Sequence, residues 1–360
     1  MILFFVLFLL LLLLAAQTWA LRRCLESVRE DYWTEKTIVD CEEEFAVLLS
    51  VTNRSRRYLP FVKVSLGLPR GCTLASGSGS GKEKAAYTCS LRPWQEVRFR
   101  VPVKIGHRGR YVLRHPELSG GDFLGLREQQ REFPQFREVI AAPKRQTCPR
   151  LDQALGSFLG DYSVRRFLYE DPVLTAGYRE YTGQEPMKQI AWKQSARVGS
   201  WMVRQQDHTV EPAVTVLLNV ETRESMEMTE AAFSLARTVC EALEERRIKY
   251  DFATNASQAG GRKRGAEVAE GLGESHILHV LECLGRGLVE AGRPFFDMLE
   301  EAALRTGRNR GLLVITPGEG LECPARNAEG LDRWRKESGG NVQILCACRI
   351  YEGQEERTWH

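Results

Sequence analysis

Apolar positions recur along the chain with two different periods. Between Thr37 and Ala142 they alternate with polar ones. Val97, Phe99, Val101 and Val103 interleave with Arg98, Arg100 and Lys104, the period of two expected of a strand with one buried face. Phe45 to Val51 is apolar and rich in strand-forming residues. Thr52-Asn53-Arg54-Ser55 and Leu68-Pro69-Arg70-Gly71 are turn signals between such runs. Short strands at this spacing predict a small, Ig-like β-sandwich over residues 22–145. Ser76 to Gly81 alternates Ser and Gly and predicts a flexible hairpin tip.

From Ala213 the period changes. Ala213 to Leu218 is apolar except for Thr215, the pattern of a strand covered on both faces. Thr229 to Arg247 then places Phe233, Ala236, Val239, Cys240 and Leu243 on one helical stripe. A strand is expected at Ile248 to Ala253, helices at His276 to Leu288 and Phe295 to Arg305, and a strand at Gly311 to Thr316. A short helix at Leu331 to Lys336 and a last strand from Val342 to Tyr351 complete the series. Such alternation predicts an open, mostly parallel sheet with helices on both faces over residues 206–360. Pro134 to Pro149 is a Pro-containing basic linker between the two patterns.

The first 21 residues fit neither period. They are apolar up to Arg22-Arg23, and as a helix they would span about 30 Å, the thickness of a hydrocarbon core. Trp19 stands where an interfacial anchor belongs. A cleaved secretory signal is the rival, ending at Thr18-Trp19-Ala20, but no basic residue precedes the apolar run. The expectation is therefore a single transmembrane helix over residues 1–21. Arg22-Arg23 would hold the remaining domains on the cytoplasmic side of the cell membrane.

Composition narrows the classes. A charge of +3 in 360 residues implies no polyanion partner by itself. The ten cysteines include no Cys-x-x-Cys, which removes the zinc ribbon and the thioredoxin-like dithiol and leaves reduced, mostly buried thiols. Cys346 and Cys348, two apart on the expected last strand, should share its core-facing side. Arg262-Lys263-Arg264 lacks the interleaved aromatics of a nucleic-acid site and reads as a solvated loop.

One stretch mixes both charge signs with large aromatics: Arg179, Tyr181, Glu185, Lys188, Ile190, Trp192, Lys193, Ser195, Ala196 and Arg197. Gly183 and Pro186 break its first half, and a short helix fits from Ile190 onward. The stretch resembles the signature of the bacterial domain-of-unknown-function 58 family: Arg-x-Tyr, Gly-Asp, an Arg pair, Ile-x-Trp-Lys and Ser-Ala-Arg. Gln184 and Gln189 depart from its Gly and its second Arg. His107-Arg108-Gly109-Arg110-Tyr111 and Asp122-Phe123-Leu124-Gly125-Leu126 add to the resemblance, which covers Cys41 to Asn219. It implies partnership with a MoxR-type AAA+ ATPase. Residues 146–205 are then a junction segment, its charges either binding that partner or forming an internal ion-pair network.

The C-terminal half resembles a von Willebrand factor A domain, where Asp-x-Ser-x-Ser holds a divalent cation after the first strand. Here Asn219, Glu221 and Arg223 occupy those positions, and an arginine puts fixed positive charge where the cation would sit. Glu221 with Glu319 would make only a crude pair, so no metal and no cofactor are expected. His276, His279 and Cys283 share a helical face that also carries Val280 and Leu284, and packing accounts for them better than zinc. No nucleophile elbow occurs, and Ser195 has no local His or Asp partner.

The fold class expected is thus an α/β von Willebrand factor A-like (Rossmann-type) domain plus an N-terminal β-sandwich, preceded by one transmembrane helix. The function expected is a membrane-anchored, non-enzymatic interaction or scaffold protein acting with a MoxR-type ATPase. The alternatives are a membrane-anchored metal-dependent hydrolase and a secreted surface protein.

Overall fold

A computed structural model describes residues 4–9, 27–75, 84–121, 128–131, 136–146, 149–166, 175–183, 187–206, 213–221, 224–261, 265–305, 310–318, 329–334, 336 and 342–351. The chain divides into two compact units, Met1–Lys144 with Leu284–Arg286, and Arg145–Cys283 with Gly287–His360.

Unit 1 is built from two four-stranded antiparallel sheets. One runs β1 (Val28–Thr34), β3 (Glu44–Asn53), β7 (Glu96–Ile105), β5 (Cys72–Leu74). The other runs β10 (Glu128–Arg131), β9 (Glu117–Gly121), β4 (Leu59–Gly67), β6 (Lys84–Leu91). A smaller sheet joins β2 (Ile38–Asp40), β11 (Phe136–Ala142) and β8 (Gly109–Arg114). The period-two pattern sets the register: Leu49 faces Phe99 and Val47 faces Val101 across the β3–β7 pair. Val47, Leu49 and Val51 from one sheet join Val62, Val64 and Leu66 from the other in a single core, so these strands form a sandwich. Each such side chain contributes roughly 1.5–3 kcal/mol of burial.

One end of this sandwich is held by Asn53, which is fully buried. Its amide donates to the carbonyls of Arg57 at 2.8 Å and Arg92 at 3.0 Å, and its backbone N–H donates to Gln95 at 2.9 Å. The turn so clamped presents Trp94 to solvent with φ of 62°, a conformation that costs a bulky residue about 1–2 kcal/mol.

In unit 2, β14 (Ala213–Leu218) and β19 (Gly311–Thr316) are buried at every position and run parallel side by side. β15 (Lys249–Thr254) is parallel to β14 and β20 (Val342–Cys346) is parallel to β19. β17 (Ala266–Gly271) closes the β15 edge antiparallel. The helices include α1 (Pro149–Arg166), α2 (Trp192–Val198), α3 (Met226–Glu245), α4 (Glu274–Arg286) and α5 (Phe295–Arg305). α3 starts where Ser225 Oγ accepts from Met228 N–H at 3.3 Å, and it buries Phe233, Ala236, Val239, Cys240 and Leu243. On α5, Phe295, Met298 and Leu299 pack with Trp334, Leu312 and Val314.

Two expectations are corrected. The fold class drawn for the whole chain, a von Willebrand factor A-like α/β domain plus a sandwich behind one transmembrane helix, does not hold. The protein is sheet-rich, with 45% strand in several separate sheets. Among its strands are β17 and an antiparallel pair of β16 (Ala256–Gln258) with β18 (Gly287–Ala291), the latter beginning at Gly287 and Leu288 where the end of a helix was expected. These strands are short and end at or beside glycine or polar positions, so a window wide enough to detect helical periodicity averages them away. The membrane helix over residues 1–21, and the single-pass membrane localisation drawn from it, are corrected as well. Residues 4–9 are helical and the remainder of that stretch lies outside the described residues. Among the described residues no helix is long and apolar enough to cross a membrane. Apolarity measures the gain on transfer to lipid, whereas spanning also needs about 20 residues of continuous helix.

Candidate functional site

The segment singled out by its mixed charges and aromatics folds as a small module. β12 (Thr175–Glu180) pairs antiparallel with β13 (Met202–Gln206), a 3-10 turn occupies Met187–Gln189, and α2 follows. Ser195 holds the module together. Its hydroxyl donates to Ala191 O at 3.0 Å and accepts the Met202 N–H at 2.9 Å, tying α2 to the start of β13. Ala191 N–H donates to Met202 O, and Ile190 bridges to Val203 with both side chains buried. Gly199, at φ 78°, ends α2 by donating to Ser195 O, a left-handed cap that favours glycine.

The backbone is pinned and the large side chains are left outside. Trp192 is 60% exposed and Trp201 53%, their rings 6.2 Å apart, with Tyr181 at 5.7 Å from Trp201. Met187, Tyr178 and Val198 are exposed beside them in sequence. Lys188, Lys193 and Arg197 are exposed too, and among the described residues none of them enters an ion pair. Arg179 lies exposed on β12 opposite Val203, and Ala196 is exposed on α2. Glu185 lies outside the described residues, as does the supporting motif at Asp122 to Leu126. The other supporting motif forms a turn in which Tyr111 O–H donates to His107 O at 2.9 Å. Trp201 was missed by reading the sequence as a signature that stops at Arg197. An aromatic directly after the Gly199-Ser200 turn was the available signal.

The loop after β14 has a different use. Asn219 is fully buried, and its Oδ1 accepts from Glu221 N–H and from Asn255 Nδ2, each at 2.9 Å. Asn255 Oδ1 returns the contact by accepting Val220 N–H at 2.8 Å. Glu221 Oε2 accepts the N–H of Phe295 at 2.8 Å, so its carboxylate caps the first turn of α5. Asn219 Oδ1 and Glu221 Oε2 thus hold backbone and amide N–H groups. Arg223 and Glu319 lie outside the described residues. Among the described residues no group of three or more His, Cys, Asp or Glu is placed to hold a metal ion.

The three residues of the α4 face are not gathered either. His276 is buried edge-on to the Tyr250 ring at 4.6 Å, and burial lowers its pKa. His279 is exposed, with Nδ1 at 2.7 Å from Ser275 O. Glu244 accepts from Tyr250 O–H at 3.2 Å and from Gly273 N–H at 2.8 Å, tying β15 and the start of α4 to α3.

No family model and no curated protein matches the chain. Among solved structures, part of native alpha-2-macroglobulin from Escherichia coli is similar at 16% identity and a TM-score of 0.26. That match covers 32% of this chain and 17% of the other. The CARDB domain of a Pyrococcus furiosus protein, in complex with di-metal ions, is similar at 15% identity and TM-score 0.22, covering 32% and 86%. A FixG-related protein from Vibrio parahaemolyticus gives 9% identity and 0.21, covering 32% and 96%. None of these is a domain-of-unknown-function 58 or von Willebrand factor A protein, and similarity at this level carries no argument about function.

Proposed function

We propose that this protein is a non-enzymatic interaction or scaffold protein and that the Tyr178 to Trp201 module is its partner-binding surface. The observation that carries this is the exposure of Trp192 and Trp201 on a backbone held rigid through Ser195. Exposed aromatics on an ordered scaffold cost little entropy to immobilise, and Trp and Arg are the residue types that dominate binding energies. The cations Lys188, Lys193 and Arg197 around them favour a partner with an acidic face. The resemblance of the segment to the domain-of-unknown-function 58 signature points to a MoxR-type AAA+ ATPase as that partner. A hydrolase reading would draw on Glu221, whose carboxylate is engaged at the start of α5.

Titration calorimetry of the full chain against a MoxR-type ATPase tests this. Replacing Trp192 and Trp201 together by alanine is expected to weaken binding by about 30-fold, ~2 kcal/mol, while a chelator leaves the affinity unchanged. Unaltered affinity in the double variant would remove the module from the interface. Absence of binding by the wild-type chain would remove the ATPase.

A further inference from the structure

At the carboxyl end of β20 the chain sets two thiols against each other. Cys346 closes the strand and is buried, and Cys348 follows in the short helix Ala347–Tyr351, half-buried. Their sulfurs are 2.8 Å apart. Both are pinned to the loop after β19: Cys348 N–H donates to Pro317 O at 3.2 Å, and Cys346 Sγ faces the same carbonyl at 3.9 Å. The pair is therefore held in place by backbone contacts on both sides.

A structural staple does not account for this arrangement. A disulfide stabilises by removing chain entropy from the unfolded state, and that effect shrinks with the loop it closes. A Cys-x-Cys bridge closes one of the smallest loops available. A bridge that adds so little stability, with one of its sulfurs only half-buried, is open to exchange with thiols in solution.

We propose that Cys346 and Cys348 form a thiol–disulfide exchange site whose substrate class is a low-molecular-weight disulfide such as glutathione disulfide. Cys348, the less buried of the two residues, loses its proton and attacks one sulfur of the substrate. The substrate S–S bond breaks, one thiolate leaves and takes up a proton, and Cys348 carries a mixed disulfide. Cys346 then attacks the Cys348 sulfur and expels the second thiolate, which takes the Cys346 proton. Two protein thiols are oxidised to one disulfide, and one substrate disulfide is reduced to two thiols. Burial, helped by the Cys348 contact, pushes the Cys346 thiol up to about 12, which keeps it protonated and leaves the first attack to Cys348; the 2.8 Å separation of the sulfurs is what favours the second, intramolecular step.

The full-length reduced chain, incubated with glutathione disulfide and quenched with an alkylating agent, tests this by peptide mass mapping. In the wild type, the peptide spanning 342–351 is expected to lose two hydrogens and to take up no alkylating agent. Cys346→Ser should stop at a glutathione adduct on Cys348, and Cys348→Ser should leave Cys346 reduced. A wild-type chain that accumulates the Cys348 adduct without closing the bridge would overturn the proposal, as would one in which neither thiol reacts.

Discussion

His276 shows how one buried side chain ties stability to pH. It lies against Tyr250, with Glu244, Asp251 and His279 as the charged or titratable groups around it, and burial is the largest cause of its lowered pKa. In the unfolded chain the ring protonates near its ordinary value of 6.5. Its contribution to stability is therefore fully present above pH 6.5 and is lost as pH falls through the depressed folded value. Melting temperature should drop between about pH 7.5 and about pH 5.5, and His276→Gln should flatten that drop. Glu30, buried beside His115, acts in the opposite sense, because burial raises its carboxyl above 4.5 and its contribution is lost as pH rises. Comparing the single variant with the wild type isolates the histidine. An equal drop in both proteins would show that His276 is not its source.

Among the described elements, α2 is tied to β13 by backbone contacts at Ile190 and Ala191 and by one side-chain hydroxyl, that of Ser195. Its last turn is capped by Gly199, its residues are exposed or half-buried, and Ser195 supplies the side-chain bond to the start of β13. Removing that hydroxyl leaves the Met202 N–H without its acceptor, at a cost of about 1 kcal/mol. Ser195→Ala is expected to speed amide exchange at Met202 roughly 5-fold, with exchange in β14 unchanged. Uniform acceleration across unit 2 would mean that the serine supports the whole unit and not the module. In contrast, the loop after β14 is cross-tied through Asn219, Asn255 and Glu221. These three side chains are engaged in internal hydrogen bonds.

At the scale of the whole molecule, each unit carries an interior of its own. In unit 1 the two sheets close over Val47, Leu49, Val62 and Val64. Leu49→Ala should lower unfolding free energy by about 2–5 kcal/mol, through lost burial and the cavity left behind. Urea denaturation would report it as a lower midpoint with an unchanged slope. Arg100, outward on the neighbouring strand and paired only at the surface with Glu35, should leave the midpoint where it is when replaced by alanine. A loss as large at Arg100 as at Leu49 would contradict this division between inner and outer faces.

What the sequence determined by itself was periodic. Alternation at Val97 to Val103 identified a strand with an inner face, the stripe through Phe233, Val239 and Leu243 identified α3, and the continuous apolar runs identified β14 and β19. Each follows from local sterics and burial, which leave a repeating trace along the chain. The mixed segment at Arg179 to Arg197 was legible as unusual, but which of its side chains face out was not. That was decided by Ser195 reaching Met202, a contact between residues on different elements. The same holds for Asn219 with Asn255, for Glu221 at the start of α5, and for the two sulfurs beside Pro317. The class of the whole fold and the membrane span were misjudged because apolarity and period are local quantities. Sheet membership depends on which segments pair, and that free energy arises only when distant parts of the chain meet.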